Sequence, residues 1–290
     1  MGRALDIPLT APDPHPFVKW AGGKTALLSE IAHRIPRGRT FRRYLEPFVG
    51  AGALFFWIRR SFPGLSCIIA DSNEELVNAY RAIRDDAERV LAKLETHQVL
   101  HCEEHFYTVR KAAPREPAER AARFIYLNRT CYNGLYRVNR RGNFNVPFGR
   151  YDHPRIADRE NLLAVATVLA DVVIEAADFA TATEGAGPED LVYLDPPYYP
   201  LSPTSAFTGY TAGGFGGDEQ RRLARVFEKL SRRGAFVILS NSSSDFVREL
   251  YEALDPRPRI DEVSMPRAIN SKAKWRGPVP EFLIYTTGAG

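Results

Sequence analysis

LVYLDPPY, residues 191–198, is the segment from which the architecture of this chain can be worked out. Its first four residues are apolar, and a short apolar run followed by prolines predicts a buried β-strand. Asp195 therefore comes directly after the carboxyl end of a strand. In open α/β sheets, ligands bind beyond the carboxyl ends of the strands, so we expect the four residues D-P-P-Y to face a ligand.

Short apolar runs on both sides of this segment alternate with stretches of helical spacing. An apolar helix is predicted at 53–58, a long helix at 73–97, and helices broken at Pro114 between 103 and 128. This alternation predicts an α/β fold, with a mostly parallel sheet covered by helices on both faces. Further strands are predicted to end at Glu46 and to span 67–70, 172–175 and 236–239.

Composition narrows the class of protein. The 290 residues contain no apolar run long enough to span a membrane, and the N-terminus has no secretory signal pattern. The three cysteines form no C-x-x-C pair, which disfavours a disulfide scaffold or a cysteine-based zinc site. We therefore expect a cytoplasmic protein of one large or two modest domains.

Positive charge is concentrated in one segment. Residues 129–151 contain five arginines and no acidic residue, although the net charge of the whole chain is only +4. Arg141-Gly142-Asn143 is a turn signal between two segments rich in aromatic and β-branched residues, so a β-hairpin is predicted over 132–151. A local basic segment of this kind is typical of a phosphate-binding surface.

The D-P-P-Y segment has the chemistry to bind an amine. Two consecutive prolines remove two backbone donors, which leaves the Asp195 carboxylate and the Pro196 carbonyl as acceptors. An amine with two N–H groups is the complementary partner, and Tyr198 offers a ring on which a planar base can stack. The alternative is a proline-rich turn in which Asp195 only caps a helix, and for an isolated D-P-P-Y this alternative is the commoner one.

Two glycine-containing turns indicate a second ligand. F-V-G-A-G, residues 48–52, follows a strand, and its small residues would let a ligand approach the backbone; Glu46 or Asp71 could accept hydrogen bonds from that ligand. Residues 17–25 read F-V-K-W-A-G-G-K-T, which is not a P-loop because Val18 stands where that motif needs glycine. A lysine and an indole beside a Gly-Gly turn suit a ligand with a carboxylate and a flat heterocycle.

The order of these motifs resembles the α-group amino-methyltransferases and, in detail, the Dam family of DNA adenine N6-methyltransferases (D12 class). The resemblance extends from Phe17 to Tyr285 and includes K-W-A-G-G-K, E-P-F-V-G-A-G, Y-N-G-L-Y-R, F-N-V-P-F-G-R-Y, D-P-P-Y-Y-P-L-S and F-T-G-Y. It implies a Rossmann-like methyltransferase sheet, formed by residues 1–72 and 155–290. It also implies an inserted helical DNA-recognition domain at 73–154 that carries the hairpin.

The resemblance further implies S-adenosylmethionine as the cofactor. In that case Asp71 would hold the ribose hydroxyls, and Asp178 and Phe179 would contact the cofactor's adenine. The catalytic residues would be Asp195, Pro196 and Tyr198, with Asp195 ionised and also part of the cofactor site. The methionine end would be lined by Trp20, Lys24, Phe48, Gly50 and Gly52.

The partner implied is double-stranded DNA, from which the target adenine must be flipped out to react. Arg137 would read the outer guanine of a GATC site, although other sites containing GAT stay open. Leu135 and Pro147 would contact bases, and Asn133 a base or the backbone. Arg140, Arg141 and Arg150 would hold phosphates. A monomer would suffice, since one base is flipped per chain.

Three alternatives stay open. His101-Cys102-Glu103-Glu104-His105 fits the inverted zinc-peptidase pattern H-x-x-E-H, with His97 one turn earlier, but a solvated helix face is the better explanation and no metal is expected. The chain could be a binding module that has lost catalysis, or could methylate cytosine N4 or an amine in RNA. We also interpret the glycine-rich loop 212–217 as a cover that becomes ordered on DNA binding.

Overall fold

The computed structural model describes residues 13–20, 24–139, 141–200, 215–265 and 279–287. Its centre is a seven-stranded sheet in the order β3-β2-β1-β4-β5-β7-β6. Strands β2, β1, β4 and β5 are parallel neighbours, and β7 is antiparallel to both β5 and β6. The strands are β1 (Arg43–Glu46), β2 (Ser66–Asp71), β3 (Val173–Ala176), β4 (Asp190–Leu194), β5 (Phe236–Ser242), β6 (Arg259–Met265) and β7 (Val279–Tyr285).

The order β3-β2-β1-β4-β5 is that of a doubly wound Rossmann-like fold, so the predicted fold class is confirmed. Strands β6 and β7 were not predicted. The helices are α1 (Leu28–Arg34), α2 (Ala53–Ser61), α3 (Glu74–Val99), α4 (Glu103–Lys111), α5 (Pro117–Thr130), α6 (Arg159–Leu169), α7 (Phe179–Ala182), α8 (Gly217–Arg232) and α9 (Asp245–Glu252), with 3-10 turns at Lys24–Leu27 and Tyr132–Gly134.

The chain divides into two compact units. Unit 1 comprises Met1–Gly23, Gly50–Arg60 and Asn73–Ile174, and unit 2 comprises Lys24–Val49, Ser61–Ser72 and Glu175–Gly290. The separate division into a catalytic domain (1–72 and 155–290) and a recognition domain (73–154) stays a prediction. No helix within the described ranges is apolar over the length that a membrane crossing requires.

Each unit has its own apolar core. In unit 1, helix α3 buries Leu76, Tyr80 and Ile83, and α5 buries the residues between Phe124 and Leu127. Asn73 caps α3 by accepting hydrogen bonds from the N–H groups of the first turn, which explains why the helix begins at Glu74. In unit 2, all five residues of β4 are buried, as expected for a central parallel strand.

The predicted hairpin is present in reduced form. Antiparallel pairing over 131–148 is limited to two isolated bridges, Cys131 to Phe148 and Val138 to Phe144. Asn133 (φ 55°) and Gly134 (φ 62°) both adopt left-handed backbone conformations, and Pro147 has no N–H, so continuous ladders cannot form there. The hairpin therefore has the predicted turn at 141–143 and antiparallel contacts across it, but no regular strands among its described residues.

Candidate active site and nucleic-acid interface

Asp195 is the first residue beyond β4, between the parallel neighbours β1 and β5. The Ser240 hydroxyl, on β5, donates a hydrogen bond of 2.9 Å to Asp195 Oδ1. The Lys24 ammonium lies 3.0 Å from the same oxygen. Both partners belong to unit 2, so the carboxylate is fixed within one compact body.

Lys24 occupies an informative position. Lys24 exposes only 7% of its surface, and its Nζ lies 4.4 Å from the centre of the Tyr198 ring. A positively charged nitrogen that carries N–H donors is thus held between a carboxylate and an aromatic face. The resemblance assigned Lys24 to the methionine end of the cofactor, and that role stays a prediction.

Burial raises the pKa of Asp195, while the charge of Lys24 and the hydrogen bonds from Lys24 and Ser240 act in the opposite direction. The Asp195 side chain nevertheless keeps 19% of its surface exposed, so it lies at the bottom of an opening. From the sequence we required only that Asp195 be ionised. The structure adds that its ionised form depends on nearby donors.

Two residues of this site were missed by sequence reasoning. Ser240 bonds Asp195 and also pairs with the Tyr193 hydroxyl at 2.8 Å, and Glu281 on β7 accepts a hydrogen bond of 2.8 Å from the Tyr198 hydroxyl. The signal for Ser240 was present, because a polar residue that continues a buried strand requires a polar partner. No comparable signal marked Glu281, since β7 was not predicted.

A cavity of about 350 Å³ lies beside the carboxyl ends of β1, β2 and β3 in unit 2. The rings of Phe48 and Phe179 stack at a centroid distance of 5.3 Å, and Phe215 meets Phe48 edge-on at 5.7 Å. This volume falls in the range of roughly 300–1,000 Å³ typical of small-molecule sites. The cavity is lined by Pro47, Phe48, Ser72, Ala177, Asp178, Phe179, Phe215 and Glu219.

Asp178 has an ion pair that the sequence did not reveal. Both of its carboxylate oxygens accept hydrogen bonds from Arg222 on α8, and the Arg222 guanidinium also lies 4.5 Å from the Phe179 ring centre. The bond from Arg222 lowers the pKa of Asp178. Arg222 therefore fixes both of the residues that the resemblance assigned to the cofactor's adenine.

Asp71 ends β2 next to the cavity. It is half-buried, its carbonyl accepts a hydrogen bond of 3.2 Å from Ala177 N, and the following residue, Ser72, lines the cavity. The structure thus brings Asp71, Phe48, Asp178 and Phe179 to one edge of the unit 2 sheet. The contact of Asp71 with ribose hydroxyls stays a prediction.

The other predicted cofactor residues belong to unit 1. Gly50 (φ +49°) lies under the Trp20 indole, so that an added Cβ would meet Trp20 Cδ1 at 2.7 Å. The space beside Gly52 (φ +74°) is similarly occupied by the Tyr80 hydroxyl, which would lie 2.6 Å from an added Cβ. In the structure, these glycines make room for protein side chains. Trp20 also stacks on Tyr136, with ring centroids 5.9 Å apart.

The predicted DNA-reading residues share one exposed segment of unit 1. Arg137 is exposed, and its Nε donates a hydrogen bond of 2.8 Å to Asn145 Oδ1, which orients the guanidinium. Tyr132 N donates to Pro147 O at 2.9 Å and brings the two halves of the segment together. Arg140 lies outside the described residues. The other predicted contacts are exposed or, for Leu135, half-buried: Asn133, Leu135, Arg141, Pro147 and Arg150.

The histidines of the zinc-peptidase pattern pair with neighbouring groups. His97 Nδ1 lies 3.0 Å from His105 Nε2, and His101 Nδ1 lies 3.0 Å from the Tyr126 hydroxyl. No group of metal-binding side chains occurs in the described part of the chain. His101 also lines an open cavity of about 760 Å³, which is larger than the one beside β1 but has none of its stacked phenylalanines.

These arrangements limit the chemistry. Asp195 and Tyr198 can bind a flat, amine-bearing group, and the cavity beside Phe48 can hold a second aromatic ligand. The basic segment can bind a polyanion. Residues 212–214 of the predicted cover, 212–217, lie outside the described residues, as does F-T-G-Y at 207–210. Phe215, which is described, packs on Phe48 and Phe179.

Comparisons with known proteins agree with these features. A model of the D12 class of N6 adenine-specific DNA methyltransferases matches residues 20–265. The Type II methyltransferase M.MjaIII of Methanocaldococcus jannaschii is 41% identical over 286 residues, which cover 93% of this chain and 98% of that protein. The Type II methyltransferase M1.LlaDCHI of Lactococcus lactis subsp. cremoris is 39% identical, with 94% and 95% covered. The DNA adenine methylase of Escherichia coli K12 is 36% identical, also with 94% and 95% covered.

Proposed function

The chain belongs to the D12 class of N6 adenine-specific DNA methyltransferases, and from that premise we propose that it methylates adenine N6 within GATC sites of duplex DNA, using S-adenosylmethionine. One observation carries the assignment of the reacting group. The Lys24 ammonium, held by Asp195 and the Tyr198 ring, stands in for an amino nitrogen that becomes positively charged.

Asp195 would accept a hydrogen bond from the adenine amine. The lone pair of this amine is conjugated into the ring, and an acceptor that pulls on its N–H makes the nitrogen more nucleophilic. The same carboxylate stabilises the positive charge that develops on nitrogen in the transition state. Ser240 keeps the carboxylate in place, and Lys24 must give up its contact when the amine enters.

The cavity beside Phe48 fits the cofactor. Its stacked rings suit an adenine, its volume suits a small molecule, and Asp71 lies at its edge. Phe48, Phe179 and Asp178 would hold the adenosine part, while Trp20, Lys24 and the F-V-G-A-G turn would hold the methionine part. When bound, S-adenosylmethionine supplies a methyl group activated by its sulfonium. The protein's contribution is to hold this group in line with the amine.

A base within the duplex cannot reach the bottom of the opening at Asp195, so base flipping is part of the proposal. Tyr198, anchored to Glu281, would then stack on the extruded adenine. Arg137 is exposed and oriented by Asn145, as a reader of guanine in the major groove must be. We assign the protein to the cytoplasm, where the DNA of prokaryotes lies, and a monomer suffices for one flipped base.

The test is methyl transfer from labelled S-adenosylmethionine to matched duplexes with and without GATC, followed by identification of the methylated nucleoside. We expect N6-methyladenine only in the GATC duplex. N6-methyladenine at other GAT sites would refute the GATC assignment alone. Methylated cytosine, or no transfer to any DNA, would refute the proposal as a whole.

A further inference from the structure

Two fully buried amides lie behind the D-P-P-Y segment. Gln220 is on the first turns of α8 and Asn241 is on β5, and neither exposes any surface. Asn241 Nδ2 donates a hydrogen bond of 2.9 Å to Gln220 Oε1, so the two side chains form a connected pair. Both residues belong to unit 2 together with Asp195 and Tyr198.

The pair bonds the two peptide groups that flank Tyr198. Gln220 Nε2 donates to the Pro197 carbonyl at 2.9 Å, in the peptide group before Tyr198. Asn241 Oδ1 accepts from Tyr199 N at 3.2 Å, in the peptide group after it. Asn241 Oδ1 also accepts from Ser242 N at 2.8 Å, which ties the pair to the end of β5.

The segment needs such support because of its composition. Pro196 and Pro197 have no N–H, so this part of the backbone cannot donate hydrogen bonds that would anchor it to the sheet. The acceptor bond at Pro197 and the donor bond at Tyr199 take over that function. On the far side, Tyr199 stacks on Phe246 with ring centroids 4.3 Å apart.

We propose that Gln220 and Asn241 are positioning residues for methyl transfer, which set the orientation of the Tyr198 ring and thereby the placement of the target base against Asp195. This inference rests on the proposed function. Neither residue would touch the base or the cofactor. Their effect is on alignment, where a displacement of about 1 Å can cost a factor of about 100 in rate.

Gln220→Glu is the decisive variant. Glutamate has nearly the same size and still accepts from Asn241, and its ionised form cannot donate to the Pro197 carbonyl. Because burial favours the protonated form, which could donate, the variant is assayed at alkaline as well as neutral pH. We expect the single-turnover methylation rate on a GATC duplex to fall about 10- to 100-fold. The dissociation constants for S-adenosylmethionine and for the duplex should change less than threefold. Fluorescence of a duplex with 2-aminopurine at the target position should report altered stacking of the extruded base.

Leu223→Met, in the buried face of the same helix, is the matched control for loss of packing. If Gln220→Glu slows methylation no more than Leu223→Met does at an equal loss of melting temperature, the role is only structural and the inference is overturned. Asn241→Asp keeps the acceptor for Tyr199 and removes the bond to Gln220. It is the substitute if Gln220→Glu does not fold, and its methylation rate is compared with that of Leu223→Met at an equal loss of melting temperature in the same way.

Assays of the wild-type protein distinguish failure of the proposed function from failure of this inference. If it transfers no methyl group to any adenine-containing duplex, the proposed function fails and this inference fails with it. If it methylates adenine and Gln220→Glu retains its rate within threefold, the inference alone fails.

Discussion

Asp195→Asn keeps the size of the side chain and removes its charge. The position of Lys24 shows that a nitrogen can approach Asp195 Oδ1 to 3.0 Å. At an effective dielectric constant of about 20, a full charge at this distance gains on the order of 5 kcal/mol, and half a charge in the transition state gains about 2.7 kcal/mol. We therefore expect the single-turnover rate to fall about 100-fold, as for loss of one preorganised donor or acceptor in other enzymes.

The assay is transfer of labelled methyl to a GATC duplex, with enzyme in excess. Asp218→Asn is the matched control, because the Asp218 side chain is fully exposed on the first turn of α8. The wild-type rate should also fall as Asp195 becomes protonated, at a pH above the ordinary range for aspartate because burial raises its pKa. The asparagine variant should lack this dependence. A variant rate within fivefold of wild type would refute the electrostatic role of Asp195.

The remaining predictions concern recognition and stability. Arg137→Ala should reduce the preference for GATC over sites with another outer base by about 1–3 kcal/mol of discrimination free energy. Arg141→Ala should weaken binding to all duplexes and reduce the slope of log binding constant against log salt concentration by about 1. Equal effects of the two variants on specificity would contradict the assignment. Gly50→Ala should lower the free energy of unfolding by about 1–3 kcal/mol, because φ is +49° and Trp20 fills the space, and Gly64→Ala, which has open space, should not. Since burial lowers the pKa of His97 from 6.5 to about 4, the unfolded chain binds a proton in this window that the folded chain does not, and stability in urea denaturation should fall from pH 6.5 towards 4. His97→Gln should reduce that fall.

Local patterns predicted the parallel part of the sheet. Leu191–Leu194 and the apolar run before Asp71 form largely buried strands, as near-continuous apolar runs do in parallel sheets. The long helix was predicted to within about two residues of α3, since its apolar spacing and its Asn73 cap agree. Strands β6 and β7 were missed because their pairing joins residues from separate stretches near the end of the chain, with mixed polar and apolar side chains.

The roles of the candidate site residues stay predictions. Asp195, Tyr198 and Phe48 could be named from motifs and Phe179 from the resemblance, because each follows a strand that the sequence reveals. Their partners could not, since Ser240, Glu281, Gln220 and Arg222 come from β5, β7 and α8 and meet the motifs only through the fold. A hydrogen bond across the sheet leaves no periodic pattern in a single sequence.

The contact of Lys24 with Asp195 and Tyr198 has a consequence for inhibitor design. A flat heterocycle that carries a protonated exocyclic amine would present to the carboxylate and the ring what the lysine ammonium presents in the structure. Such a compound would compete both with the lysine and with the target base that we propose to be extruded, and it would need no part of the methyl donor. The Lys24 ammonium thus shows where the cationic group of a substrate-competitive ligand would bind.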